Sequence, residues 1–114
     1  MSQFVPNTIA HFDICGPDAA ALTEFYGSLF GWVASPKGPG YSLLGTPEGS
    51  PNGAIVEAQT SAFTVGIVVA DIDGVVDAAA GRGGEVVMAV TDNGWVKKAM
   101  LRDPAGNIVT VIQG

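Results

Sequence analysis

The segment IAHFDICGPDAAALTEFYGSLFGW, residues 9–32, is the feature that most restricts the fold. Its opening residues alternate: Ile9, His11, Asp13 and Cys15 fall on one face of a strand, Ala10, Phe12 and Ile14 on the other. Pro17 and Asp18 suit a first helical turn, where proline loses no needed donor and a carboxylate meets the positive end of the dipole. Leu22, Phe25, Tyr26, Leu29 and Phe30 recur at helical spacing, and Gly31 stands where a left-handed cap closes a helix. The chain's only histidine, His11, thus shares a strand face with an aspartate.

The remainder divides into short elements. Residues 32–34 read as a brief strand before a loop, SPKGPG, and residues 41–45 as another strand. TPEGSPNG forms a turn cluster, followed by a strand at 54–58. Residues 63–70 (FTVGIVVA) are continuously apolar and rich in β-branched side chains, as in a strand buried on both faces. Ile72, Val75, Val76 and Ala79 then share the face of a second helix over 71–82, ended by Gly81, Gly83 and Gly84. Strands over 85–90, 95–101 and 107–112 complete the chain, the last two joined through Asp103-Pro104-Ala105-Gly106-Asn107 as a hairpin turn. Each half therefore reads strand, helix, three strands: about 8–58 and about 63–113 match in element order, though hardly in sequence. At 114 residues the expectation is one domain, since domains commonly run about 100–150 residues.

Composition excludes several classes of function. Eleven acidic against five basic side chains leave a net charge of −6, which repels phosphate backbones, and Lys97–Lys98 is the only basic pair; nucleic acid is not an expected partner. No apolar run approaches the roughly 20 residues of a membrane span, and MSQFVPN lacks the regions of a signal peptide. Cys15 has no partner for an intrachain disulfide, so an inert thiol and a cytoplasmic setting are expected. Residues 81–85, GRGGE, follow a helix rather than opening one, and so lack the order of a dinucleotide site.

The element order, with His11 on the first strand, PDAAALTEFYGSLFGW, VVADIDGVVDAAAGRGGEV and RDPAGNIVTVIQ, resembles the vicinal oxygen chelate superfamily. That group takes in glyoxalase I, bleomycin-resistance proteins and extradiol dioxygenases. The resemblance covers essentially the whole chain. It implies an α+β fold, two tandem βαβββ modules forming a curved sheet around a cleft, often as a homodimer. Catalytic members usually hold one divalent metal there through four side chains, two per module.

Carried over residue by residue, that ligand set is incomplete. His11 stands at the first position and Glu57 is the carboxylate nearest the second. The resemblance puts Val65 at the third and Thr110 at the fourth. Valine binds no metal and threonine offers a neutral hydroxyl, whereas catalytic zinc sites generally keep three protein ligands. A symmetric dimer repeats the same deficit. The expected function is small-molecule binding without a catalytic metal, the ligand aromatic, with His11, Asp13 and Thr110 as polar contacts and Tyr41 and Trp95 as stacking walls. Two further readings stay open: a metal-dependent glyoxalase-like lyase or dioxygenase using His11 and Glu57, and a metal-free enzyme with His11 as general base. His11 also admits a structural reading, as do Asp13, Glu57, Tyr41 and Trp95. Lys97 and Lys98 point to opposite faces and read as edge-protecting charges, and Met100 reads as core.

Overall fold

A computed structural model describes residues 5–114. The elements run β1 (Thr8–Gly16), α1 (Ala19–Phe30), β2 (Val33–Gly38), β3 (Tyr41–Gly45), β4 (Asn52–Glu57), β5 (Ala62–Val68), α2 (Ile72–Ala79), β6 (Glu85–Asp92), β7 (Lys97–Arg102) and β8 (Ile108–Gln113), with a 3-10 turn, Ala80–Arg82, after α2. The fold is α+β, and the order βαβββ occurs twice, as the sequence pattern predicts. Two compact units result: His11–Thr64, and Val65–Gly114 together with residues 5–10.

In the first unit the strands lie in the order β2-β3-β4-β1, with β4 parallel to β1 and the other neighbours antiparallel. Phe12, Ile14, Leu44 and Ile55 form its core. Leu22, Tyr26 and Trp32 pack against them from the α1 side. The helix starts two residues later than its proline suggests: Asp18 is the N-cap, with extended backbone, and its carboxylate accepts from Ala21 N at 3.0 Å. Gly31 closes it at φ 74°, as expected. The apolar face divides, however. Leu22 and Tyr26 meet the sheet, while Phe25, Leu29 and Phe30 stay 52–60% exposed on the flank. Gly53 sits under the Phe12 ring, where a Cβ would come within 2.5 Å of a ring carbon. Phe12 in turn stacks on Phe63 at 5.7 Å and 16°.

Two strands differ from expectation. SPKGPG is not all loop: β2 runs through Pro36 to Gly38, with a register shift there. Proline is tolerated because β2 is the edge of this unit's sheet, with a neighbour strand on one side only. β4 begins at Asn52, two residues early, because it pairs with β1 from His11 onwards.

The second unit repeats the arrangement as β5-β8-β7-β6, with β8 parallel to β5. Val69, Ile72, Ala99, Leu101 and Val111 make its core, with Val75, Val76 and Ala79 of α2 packed on it. Asp71 is the N-cap of α2, accepting from Gly74 N at 3.1 Å. The helix is shorter than its apolar repeat predicts, giving way to the 3-10 turn that Gly83 ends at φ 86°. The lead-in to β1 belongs here too: Asn7 N donates to Val68 O at 2.6 Å. β7 lies between β8 and β6, so Lys97 and Lys98 protect no edge; β6 extends far enough to pair Thr91 with Lys98 and Asp92 with Lys97. The DPAGN turn forms as predicted. Asp103 accepts from Ala105 N, Asn107 N and Asn107 Nδ2 at 2.8–3.0 Å, and Gly106 takes φ 97°.

Candidate functional site

Alternation along β1 sends Phe12 and Ile14 beneath α1 and leaves His11, Asp13 and Cys15 half-buried on the opposite face. Partners across a ladder share a face. The register therefore adds Asn52 and Val56 of β4, opposite His11 and Cys15, to that face. Leu43 and Tyr41 of β3 follow, and then Val33 and Ser35 of β2.

His11 Nε2 lies 3.0 Å from Asp13 Oδ1, with the side chains 29% and 24% exposed. A carboxylate only accepts, so Nε2 carries the proton in this contact and Nδ1 is left as the acceptor of a neutral ring. Asp13 thereby fixes the imidazole's tautomer and orientation. Beside His11 the face is concave: a groove of about 310 Å³ is lined by His11, Val33, Ser35, Lys37, Leu43, Leu44, Gly45, Asn52 and Gly53. Val33 and Leu43 give it aliphatic walls, and its polar groups are His11, Ser35, Lys37 and Asn52. Cys15, further along the strand, has its thiol pKa raised by burial first and by the Asp13 charge second, which keeps it protonated and poorly nucleophilic at neutral pH.

The structure brings some of the expected residues together and separates others. His11 and Asp13 are paired, and His11 lines the groove while Asp13 supports it. Tyr41 shares the face and is 41% exposed, yet it stands in the row of Val56 and Cys15 and lines no part of the groove. Trp95 is 88% exposed on the β6–β7 turn of the second unit, where Asn93 Oδ1 accepts from Trp95 N and Val96 N. It borders a separate shallow groove of about 180 Å³ with Asp92, Lys97 and Gln113. Thr110 is buried in the second unit, opposite Gly66 on β5 and Met100 on β7.

Glu57 corrects the metal-dependent alternative. It pairs with Gly16, on the face of Phe12 and Ile14, and its Oε1 accepts from Ala19 N at 3.4 Å. It is turned from His11 toward the start of α1. Val65 is corrected as well. His11 lies seven residues before its helix cap, Asp18, and the residue seven before Asp71 is Thr64. Val65 corresponds to Phe12 and shares the parity of Ile67, which packs on the second core. The corrected position still offers only a hydroxyl. Among the described residues no three His, Cys, Asp or Glu side chains stand as a metal-binding group. The donor set does not fit the divalent metal that the fold family implies.

Val33, Ser35, Lys37 and Asn52 are groove residues that sequence reasoning missed. The odd-numbered spacing of Val33, Ser35 and Lys37 carried the strand signal, hidden by the prolines and glycines between and after them. Among the described residues no helix is long and apolar enough to cross a membrane.

Comparison with known proteins is consistent with this architecture. Residues 10–112 match the glyoxalase-like domain family. The chain is 31% identical to the anthracycline biosynthesis protein DnrV of Streptomyces peucetius over 93% of its own length, and spans 46% of that relative. A glyoxalase/bleomycin resistance protein/dioxygenase superfamily member from Vibrio splendidus superposes with TM-score 0.70 at 16% identity, covering 90% of this chain and 96% of that one. Methylmalonyl-CoA epimerase from Mycobacterium tuberculosis gives TM-score 0.69 at 12% identity, over 99% and 91% of the two chains. With its doubled βαβββ order and this match over nearly its whole length, the chain belongs to the glyoxalase-like domain family.

Proposed function

We propose that this protein binds a small, planar, largely aromatic molecule in the groove beside His11, without a catalytic metal. The observation that carries the reading is the groove itself. Its volume of about 310 Å³ falls in the range of small-molecule sites, Val33 and Leu43 give it apolar walls, and His11, Ser35, Lys37 and Asn52 supply its polar groups. Aliphatic walls reward a flat apolar body by burial, at roughly 25 cal/mol per Å² removed from water. His11 Nδ1 is an acceptor for a ligand hydroxyl or N–H, held in place because Asp13 fixes Nε2. The name of DnrV places that relative in anthracycline biosynthesis, and anthracyclines are polycyclic aromatic compounds, which supports the ligand class.

Calorimetric titration with a panel of planar aromatic metabolites and drugs tests the proposal. Binding by members of the panel, weakened by Leu43→Ala and by His11→Ala, is expected; no binding anywhere in the panel contradicts it.

The His11–Asp13 contact supports a second reading, metal-free proton transfer with His11 as base, because an oriented imidazole is what such chemistry uses. A His11→Ala variant that retains full turnover of an identified substrate excludes it. The proposal includes a cytoplasmic setting, consistent with the lone cysteine, and a homodimer, consistent with the exposed Phe25, Leu29 and Phe30.

A further inference from the structure

The chain carries 11 acidic and 5 basic side chains, yet the groove beside His11 is lined by no carboxylate and by one lysine, Lys37. Among the described residues Lys37 makes no ion pair, whereas Arg102 is held by Glu85 at 3.5 Å. The neighbouring polar groups are biased toward donation. Asn52 Oδ1 accepts from Thr46 N at 3.0 Å, while the Thr46 hydroxyl donates to Pro51 O at 2.8 Å, and the NH2 group of Asn52 is the amide's free donor. Ser35, on the same strand as Lys37, adds a hydroxyl. Asp13 is the nearby negative charge on β1, and its Oδ1 is engaged by His11 Nε2.

We propose that Lys37, with Ser35 and Asn52, recognises a carboxylate on the ligand, so that the groove prefers aromatic acids over their neutral analogues. The proposal rests on the reading of this groove as the ligand site. A carboxylate meets a full positive charge and neutral donors there, and charge-assisted hydrogen bonds are the stronger kind. The apolar walls take the ring. Lys37 is exposed on an edge strand, so its charge acts through solvent screening and its contribution is modest and salt-dependent.

Two probes of matched shape, 2-naphthoate and 2-naphthamide, test this by titration against the wild-type chain and the Lys37→Met and Lys37→Arg variants. The wild type is expected to bind naphthoate about threefold more tightly than naphthamide, a preference that shrinks as salt is raised. Lys37→Met should remove the preference, and Lys37→Arg should keep it. Equal binding of the two probes, or a preference that survives Lys37→Met, overturns the role of Lys37 while the groove remains a ligand site. If neither probe binds, the groove reading fails and this inference falls with it.

Discussion

Glu57 and Gln113 hold the same post in the two modules. Each ends its module's last strand, and each accepts a hydrogen bond from the first residue of its module's helix, Ala19 at 3.4 Å and Ile72 at 2.7 Å. Asp18 and Asp71 accept from the third residue of the same helices. Two side-chain acceptors thus meet the unpaired N–H groups at each helix start, and the capping device repeats although the sequence scarcely does. Glu57, which the metal-dependent alternative would use as a ligand, is part of the helix-capping machinery.

Loss of these acceptors should cost stability unequally. Gln113→Ala removes the shorter, half-buried bond and is expected to destabilise by about 1–2 kcal/mol, against about 0.5 kcal/mol for Glu57→Ala, whose contact is long and exposed. Urea unfolding of both variants and of their double mutant checks this. Because they share no partner, the two effects should add within about 0.5 kcal/mol.

Gly53→Ala should be the most damaging single-methyl change on this sheet. The added carbon meets the buried Phe12 ring at 2.5–2.7 Å, and that ring is already held by Phe63 and Trp32. Overpacking of this kind costs about 1–3 kcal/mol. A thermal melt, compared with that of Gly45→Ala, where an added Cβ has only ordinary contact, measures it.

The β7–β8 turn should weaken in acid. Asp103 has its carboxyl pKa lowered first by the Asn107 side chain and then by the backbone N–H groups that it accepts from. A lowered folded pKa means stability that is present above the ordinary carboxylate range and lost as pH falls through the folded value. The stability difference between the wild type and Asp103→Ala should therefore be largest near neutral pH and shrink below the carboxylate range. Denaturant midpoints across an acidic pH series give the comparison.

Divalent metals should leave the protein's melting temperature unmoved. A site held at 100 times its Kd would add about 2.7 kcal/mol. With Glu57 turned to α1 and hydroxyl groups at Thr64 and Thr110, no such gain is expected from Ni, Zn, Fe or Mn, and metal analysis of the purified protein should find substoichiometric amounts. A stabilisation that His11→Ala abolishes would restore a metal role.

The doubled element order was legible because period-2 and period-3.6 patterns, the Gly31 cap and the DPAGN turn each have local causes. Register was less so. Val65 against Thr64 is a one-residue choice, and in a strand one residue exchanges the faces. The facing of Glu57 depended on how TPEGSPNG spends its residues, which the pairing of Asn52 with His11 decides. The groove's β2 wall was hidden because proline and glycine mark loops in isolation, while an edge strand accepts them. Tyr41 and Trp95 were legible as aromatic residues, but their positions relative to His11 are set by long-range pairing.

The most direct test of the central claim is amide chemical-shift mapping of the isotopically labelled protein with the tightest-binding aromatic of the panel. Shifts concentrated at His11, Ser35, Leu43 and Asn52, and attenuated in Leu43→Ala, are predicted. Shifts centred on the Trp95 turn, with the His11 groove undisturbed, would contradict it.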